Sequence, residues 1–191
     1  MTSQFSPGDA LLIVDIQNDF CPGGALGIPE GDRVIPILNE WIDAAQRDGI
    51  PIIASRDWHP PNHISFKDRG GPWPVHCVRD THGAAFHKSL QLPNDAHVVS
   101  KAHHSDQESY SAFGDTDLAE YLHSIGVKRL WIGGLAQDYC VLQSCLDAIR
   151  HGYDVHVIVD ATRAVDVNPG DGERALEQIR LSGGVLKETF R

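Results

Sequence analysis

Four polar residues stand where apolar stretches of this sequence end, and together they could perform nucleophilic catalysis. Asp15 interrupts one apolar stretch, Asp57 and Lys101 close two others, and Cys140 follows a fourth after a pair of glycines. A cysteine thiolate is a strong nucleophile, and a neighbouring carboxylate can accept its proton as a general base. The set therefore combines an acid, a cation and a thiol, and it does not require a histidine base.

Each of these residues also has an ordinary structural explanation. Cys140 could fill the core as a small apolar residue, but in the first turn of a predicted helix its thiol pKa would be lowered. Asp15 could bind loop amides, and Lys101 could simply be solvated; alternatively the two could pair, because a buried carboxylate needs a partner. We expect the remaining cysteines to serve packing: Cys21, Cys77 and Cys145.

A loop rich in histidine, proline and glycine follows the second apolar stretch and is the candidate metal site. Asp57 and His59 would lie on the same side of an extended segment, and His63 or His76 could complete a set of nitrogen and oxygen ligands. Such a set suits Zn²⁺, Mn²⁺ or Fe²⁺ and leaves positions open for water or substrate. The alternative is a solvated loop with scattered histidines, which is our interpretation of His82, His87, His123 and His151.

Three aromatic residues, Phe20, Trp73 and Tyr110, lie in loops near the same predicted strand ends. Aromatic side chains at such an edge can enclose a flat ring, which suggests a small aromatic ligand. Each of them could equally be a lid residue that packs over the core.

The elements that must position these side chains alternate between strands and helices. Short apolar runs predict strands at residues 10–16, 50–55, 96–101, 128–135, 154–160 and 184–188. Helical spacing predicts helices at residues 32–48, 115–124, 138–150 and 171–182, with Asp115 or Thr116 capping the second. The alternation predicts an α/β fold: a mostly parallel six-stranded sheet with helices on both faces, which binds ligands at the carboxyl ends of its strands.

Length, composition and charge narrow the class of protein. The 191 residues are 41% hydrophobic and 22% charged, which predicts one globular domain over residues 1–191. A formal net charge of -10 disfavours nucleic acid and anionic membrane surfaces as partners. We find no apolar run near the roughly 20 residues of a membrane span and no secretory signal, and four cysteines without a CxxC pair suit the cytoplasm.

Six motifs together give the chain a specific resemblance. They are VDIQNDF (14–20), SRDWHPPNHISF (55–66), WPVHC (73–77), SKA (100–102), YSAFGDTDL (110–118) and GGLAQDYCV (133–141). In this order they resemble those of the nicotinamidases/pyrazinamidases, which are cysteine hydrolases of the isochorismatase-like superfamily. The resemblance implies a three-layer Rossmann-like fold and hydrolysis of nicotinamide, and of pyrazinamide as well, through a thioester intermediate in NAD salvage.

The resemblance also implies roles for individual residues. The catalytic triad would be Asp15, Lys101 and Cys140. A cis peptide bond between Leu135 and Ala136 would accompany an oxyanion hole formed by the amides of Ala136 and Cys140.

One divalent metal ion is also implied, with zinc the first choice and iron or manganese the alternatives. Its ligands would be Asp57, His59 and His76, and His63 matches a further ligand in some members of the family. The positions that bind the substrate ring correspond to Phe20, Trp73, Tyr110 and Tyr139.

Several alternatives stay open at this point. The chain could be a related amidohydrolase for another small amide such as an N-carbamoyl compound, an isochorismate-type ether hydrolase, or a non-catalytic metal or ring-binding module. Ala112 and Gln137 depart from the family's usual residues near the pocket, which leaves the ring substituents of the substrate open. The oligomeric state, a homo-oligomer included, is also open.

Overall fold

One parallel sheet organises residues 5–188, which are the residues that this computed structural model describes. The sheet has six strands in the order β3-β2-β1-β4-β5-β6, and every neighbouring pair is parallel. The strands are β1 (Asp9–Val14), β2 (Ile52–Asp57), β3 (His97–Lys101), β4 (Arg129–Leu135), β5 (Asp154–Arg163) and β6 (Val185–Lys187). The predicted α/β fold is confirmed.

Helices cover both faces of the sheet, which makes three layers. They are α1 (Val34–Asp48), α2 (Leu118–Ser124), α3 (Leu142–Arg150) and α4 (Asp171–Leu181). Leu11 and Ile13 of β1 pack in one core cluster with α1, whereas Leu12 and Val14 pack in a second cluster with the other three helices. Every residue of β1 is therefore buried, as expected for a parallel strand between two helical layers. No helix among residues 5–188 is both long enough and apolar enough to cross a membrane.

Several predicted boundaries were wrong, each for a local reason. Strand β1 ends one residue before Asp15, because Asp15 adopts a left-handed backbone with φ 49°. Strand β2 extends to Asp57, because it pairs with β3 as far as Lys101. Strand β5 likewise extends to Arg163, since it pairs with the end of β4 beyond an irregularity in the ladder.

The second helix begins at Leu118, so the predicted start at residue 115 was also wrong; of the two predicted capping residues, Thr116 is the one that binds the first helical amide. Asp117 precedes the first helical residue, and its side chain makes no capping hydrogen bond. The Thr116 hydroxyl donates to the Ala112 carbonyl (2.7 Å) and accepts the Leu118 amide (3.3 Å), which ties the residues before the helix into a turn.

The predicted helix at residues 138–150 consists of two parts. A π-helical turn, Gln137–Val141, comes first, and α3 follows from Leu142. The turn is wide because the carbonyl of Ala136 accepts the amides of both Tyr139 (3.1 Å) and Val141 (3.0 Å). We call this segment the nucleophile turn, since it carries Cys140.

The order of the strands places a ligand crevice beside β1. The chain builds β1, β2 and β3 outward and then returns to add β4 on the other side of β1. Ligands of open α/β sheets bind outside the carboxyl ends of the strands at such a switch point. Gly134 allows close contact there, because a side chain on it would collide with the backbone of Val14.

Candidate active site

The Lys101 ammonium group connects the carboxyl ends of three strands. Its Nζ lies 2.9 Å from Asp15 Oδ2, donates a hydrogen bond to Asp57 Oδ1, and lies 3.4 Å from Cys140 Sγ. Asp57 is opposite Lys101 in the β2–β3 register, so ladder pairing itself sets this contact. The structure therefore brings together the acid, the cation and the thiol singled out in the sequence, all of them buried.

Burial controls the protonation states of the thiol and its neighbouring carboxyl. It raises the pKa of the Cys140 thiol well above its ordinary value, because the opposing charge of Lys101 does not compensate. Burial likewise raises the pKa of Asp15, although Lys101 and a hydrogen bond from Ser55 oppose this effect. The expected lowering of the thiol pKa was thus wrong: burial favours the protonated form of the sulfur, and Asp15 is the carboxyl group beside it.

Lys101 stays charged in this interior. Burial alone would lower its pKa, but Asp15, Asp57 and Cys140 surround it with negative or potentially negative groups and raise its pKa well above the usual value. The same ammonium, together with His59, outweighs the effect of burial on Asp57 and lowers the pKa of that carboxyl. The two carboxylates can therefore occupy one buried site because a permanent cation lies between them.

Ser55 is a member of the site that sequence reasoning missed. Its hydroxyl donates to Asp15 Oδ1 over 2.7 Å, and both residues are fully buried. The Asp15 amide also donates to the Ser55 carbonyl (3.1 Å). The β1–β2 pairing holds Ser55 beside the end of β1, and that lateral neighbour is not visible in the spacing of residues along the chain.

Three ligand groups for a metal ion lie together next to this site. One side-chain oxygen of Asp57 and ring nitrogens of His59 and His76 are all within 4.8 Å of one another. Nδ1 of His59 contacts the His76 carbonyl (3.0 Å), and Nδ1 of His76 contacts the Pro74 carbonyl (2.8 Å). When Nδ1 donates to a carbonyl, Nε2 keeps its lone pair for a metal.

The electrostatics of these histidines suit metal binding. Burial lowers the pKa of His59 to about 4 and also lowers that of His76, so both rings are neutral at physiological pH. Two neutral imidazoles and one ionised carboxylate form a donor set that Zn²⁺ and similar divalent ions prefer. These residues thus fit the metal that the sequence resemblance implies.

His63 lies beside this group but is engaged elsewhere. Its ring centroid lies 4.3 Å from that of His59 with the ring planes tilted by 33°, while its Nδ1 contacts the Ser65 hydroxyl (2.7 Å) and its Nε2 contacts the Gln107 carbonyl (3.0 Å). It groups with His59 and Glu108 instead of with Asp57 and His76. In this structure both of its nitrogens therefore have protein partners.

The aromatic residues chosen from the sequence line one narrow pocket that leads to the sulfur. Phe20, Trp73, Tyr110 and Tyr139 share it with Cys140, and Leu26 and Val165, which were not predicted, complete its apolar wall. Trp73 Nε1 donates to the Tyr110 hydroxyl (3.0 Å), and the rings of Trp73 and Tyr139 meet edge to face at 5.0 Å. A pocket of this composition suits a flat ring that carries a polar group.

The backbone before the nucleophile turn has the conformation that the sequence resemblance implied. The peptide bond between Leu135 and Ala136 is cis. Ala136 lines the pocket together with Cys140, so both residues of the expected oxyanion hole face the same space.

Comparison with known proteins gives the family. The model of the isochorismatase domain family matches residues 9–189. The chain belongs to the isochorismatase family. Within it, this family member is 40% identical over 201 aligned residues to the nicotinamidase of Escherichia coli (strain K12), covering 94% of each chain.

Solved structures of relatives have the same fold as this isochorismatase-family chain. It is similar to the pyrazinamidase of Pyrococcus horikoshii in complex with zinc, with a TM-score of 0.91, 50% identity and coverage of 95% of this chain and 99% of that chain. It is also similar to the yeast nicotinamidase bound to the inhibitor nicotinaldehyde, with a TM-score of 0.88, 28% identity and coverage of 95% and 100%. The predicted resemblance to the nicotinamidases/pyrazinamidases is confirmed.

Two further residues of this isochorismatase-family site were missed, although both belong to the first motif after β1. The Gln17 amide NH₂ donates to the carbonyls of Asp57 and Ala84 (2.8 Å each), and its Oε1 accepts the Asp57 amide (2.8 Å). Asp19 Oδ2 accepts the amide of Cys77 (2.7 Å), next to His76. The sequence did contain a signal for both residues, since they are polar and follow a buried strand at the edge of the sheet where ligands bind.

Proposed function

We propose that this protein is a metal-dependent cysteine amidohydrolase that converts nicotinamide and water into nicotinate and ammonia, with pyrazinamide as a second substrate. The observation that carries the proposal is the contact of one buried ammonium group, Lys101 Nζ, with Asp15, Asp57 and Cys140. The aromatic pocket above the sulfur and the similarity to a nicotinamidase and a pyrazinamidase support the choice of substrate.

The pocket binds the pyridine ring of the substrate. Phe20, Trp73, Tyr110 and Tyr139 enclose the ring and exclude water from it, and the carboxamide points toward Cys140. The donor set of Asp57, His59 and His76 would hold the divalent metal, with zinc as the first choice and iron or manganese as alternatives. When bound, the metal supplies a Lewis acid beside the ring.

Acylation begins with transfer of the Cys140 proton to Asp15. The resulting thiolate attacks the carboxamide carbon, and the amides of Ala136 and Cys140 stabilise the negative charge that develops on the carbonyl oxygen. Asp15 then gives its proton to the departing nitrogen, so the C–N bond breaks and ammonia leaves. The product of this half-reaction is a thioester between Cys140 and the nicotinoyl group.

Deacylation reverses the roles with water as the nucleophile. Asp15 accepts a proton from water, and the hydroxide attacks the thioester carbon. The C–S bond breaks, nicotinic acid leaves, and the proton on Asp15 returns to the sulfur of Cys140; the acid then ionises to nicotinate and the released ammonia takes up its proton. The raised pKa of Asp15 suits a group that must both accept and donate protons in one cycle.

Lys101 supports both half-reactions without transferring a proton. Its charge lies 2.9 Å from Asp15 and 3.4 Å from the sulfur, so it stabilises the carboxylate before proton transfer and the thiolate after it. The net charge of this buried cluster is unchanged when the proton moves between the two groups. The cost of moving charge in the buried site is therefore small.

Release of ammonia from nicotinamide by the metal-loaded protein tests the proposal. Cys140→Ala should lower kcat by at least about a thousandfold, because it removes the nucleophile, while metal content stays the same. Cys145→Ala is the matched control, since Cys145 is a fully buried cysteine of the adjacent helix α3 and should keep most activity. Full turnover by Cys140→Ala would exclude the mechanism.

A substrate panel separates this proposal from the related functions left open by the sequence. Nicotinamide and pyrazinamide should be hydrolysed, whereas an N-carbamoyl amino acid should not, because it has no ring for the aromatic pocket. Preference for the N-carbamoyl compound would assign the chain to another amidohydrolase class. Binding of nicotinamide without release of ammonia would indicate a non-catalytic binding module.

A further inference from the structure

The segment between β5 and α4, residues 164–170, forms part of the pocket wall through Val165. The side chain of Asp138 joins this wall segment to the nucleophile turn, and the side chain of Gln137 joins the turn to Thr162 and Gly172 on either side of the segment. We propose that Gln137 and Asp138 are positioning residues that fix Val165 relative to Cys140 and thereby determine which ring substituents the pocket admits. The inference rests on the proposed function, because it concerns selection among ring amides.

Asp138 holds the wall segment by its backbone. Its Oδ1 accepts the amide of Val165 and its Oδ2 accepts the amide of Asp166, each over 2.9 Å. Hydrogen bonds to an ionised carboxylate are stronger than those between neutral groups, and two of them on consecutive amides also fix orientation. Asp166 has a left-handed backbone (φ 52°), and its Oδ1 accepts the amide of Gly172 (2.8 Å), which ties the same segment to the first turn of α4.

Gln137 makes a second connection to the same region. Its Oε1 accepts the Thr162 hydroxyl (2.7 Å) near the end of β5, and its Nε2 donates to the Gly172 carbonyl (2.8 Å) in α4. A Cβ atom on Gly172 would lie 2.9 Å from Gln137 Nε2 and 2.7 Å from the Ala164 side chain. The close approach of α4 to Ala164 of the wall segment and to the Gln137 side chain therefore favours glycine at this position.

The two positioning residues act on the pocket without facing it. Among the described residues that line the pocket, Tyr139 and Cys140 come from the nucleophile turn, whereas Gln137 and Asp138 do not line it. The hydrogen bonds of Asp138 lead to the wall segment, and those of Gln137 lead to Thr162 and Gly172 on either side of it; none leads to the groups that transfer protons. Loss of these bonds should therefore alter substrate fit and leave the chemical step largely intact.

Asp138→Asn tests this inference with little change of side-chain size. The asparagine oxygen can still accept one amide, but its NH₂ group would face the N–H of the other amide, so one hydrogen bond is lost. Glu173→Gln is the matched control, since it removes the charge of an exposed acid in the first turn of α4. Nicotinamide, pyrazinamide and a ring-methylated nicotinamide serve as substrates.

The expected result is a change in KM and in substrate preference. Asp138→Asn should raise the KM for nicotinamide about tenfold, keep kcat within about threefold, and increase the relative kcat/KM for the methylated amide, since the wall is looser. The pH profile of kcat/KM should be the same in Asp138→Asn as in the parent protein. The control Glu173→Gln should have the KM and the substrate preference of the parent protein. Unchanged KM and preference, or an equal loss of kcat on every substrate, would overturn the inference.

Two further measurements keep the inference testable independently of activity. Amide hydrogen exchange in the peptide that contains Val165 and Asp166 should be faster in Asp138→Asn than in the parent protein. An unchanged exchange rate would refute the claim that Asp138 holds the wall segment. If Asp138→Asn does not fold, Gln137→Met keeps the size of the side chain, removes both of its hydrogen bonds, and should shift preference in the same direction. If the parent protein does not hydrolyse nicotinamide, the proposed function and the selectivity fail together, while the exchange experiment still decides the connection.

Discussion

Ser55→Ala is the sharpest test of the electrostatics of this site, because it changes one hydrogen bond on the proposed general base. The Ser55 hydroxyl donates to Asp15 Oδ1 over 2.7 Å, and both groups are fully buried. A hydrogen bond to a charged group contributes about 1.5–3 kcal/mol. Since one pKa unit corresponds to about 1.36 kcal/mol, the pKa of Asp15 should rise by about one to two units in the variant.

Two measurements follow from that shift. The acid limb of the kcat/KM profile should move to higher pH by about one to two units, because Asp15 must be ionised to accept the thiol proton. The pKa of Asp15 in the folded protein already lies above its ordinary value of 3.8. Protonated Asp15 therefore contributes fully to the stability of the fold below pH 3.8, and this contribution is lost as the pH rises through the folded-state pKa. Ser55→Ala raises the folded-state pKa of Asp15 further. It should therefore lower the free energy of unfolding by about 1.5–3 kcal/mol only at pH values above that pKa, where Asp15 is ionised.

Ser144→Ala is the control for loss of a buried hydroxyl. Ser144 is also fully buried, but its hydroxyl accepts the backbone amide of Ala112 (2.9 Å). This variant should lose about 1–3 kcal/mol of stability and keep the acid limb of the parent protein. If Ser55→Ala also leaves the acid limb in place, Asp15 is not the group that controls it, and the reasoning is refuted.

Three other perturbations probe the remaining parts of the site. Lys101→Met should lower the free energy of unfolding in urea by about 3–5 kcal/mol and abolish turnover, because two buried carboxylates lose their cation. Unchanged stability of this variant would contradict the described ion pairs. Removal of metal by a chelator should weaken nicotinamide binding, measured by calorimetry, and added Zn²⁺ should restore it; indifference to the chelator would remove the metal from the mechanism. Tyr110→Phe removes the acceptor of the Trp73 N–H (3.0 Å) and should raise the KM by roughly two- to tenfold with kcat nearly unchanged, whereas a loss confined to kcat would argue against a binding role.

The grouping of reactive side chains at the sheet edge could be predicted from the sequence because of a regular property of parallel sheets. All strands present their carboxyl ends at one edge, so residues that follow different apolar runs, such as Asp15 and Lys101, must come close together. The strand-to-strand register then determines details such as the contact of Lys101 with Asp57.

Features that depend on lateral or long-range neighbours were not predictable in the same way. Ser55 lies 40 residues from its partner Asp15, and the Gln107 carbonyl that engages His63 lies 44 residues along the chain. The direction of the thiol pKa shift depends on complete burial of Cys140, which is a result of tertiary packing. The π-helical form of the nucleophile turn likewise has no signature in the hydrophobic spacing, since that spacing registers only an apolar face.

The position of Lys101 has a consequence for how such a site can change over time. A single ammonium group pairs with both the carboxylate assigned to proton transfer and the carboxylate assigned to metal binding. A substitution that removes it would damage the two activities in the same step, so neither can be lost or exchanged separately by this route. Substitutions that preserve a working enzyme should therefore accumulate among the residues that line the substrate pocket. The charged residues at the base of the pocket should be retained together.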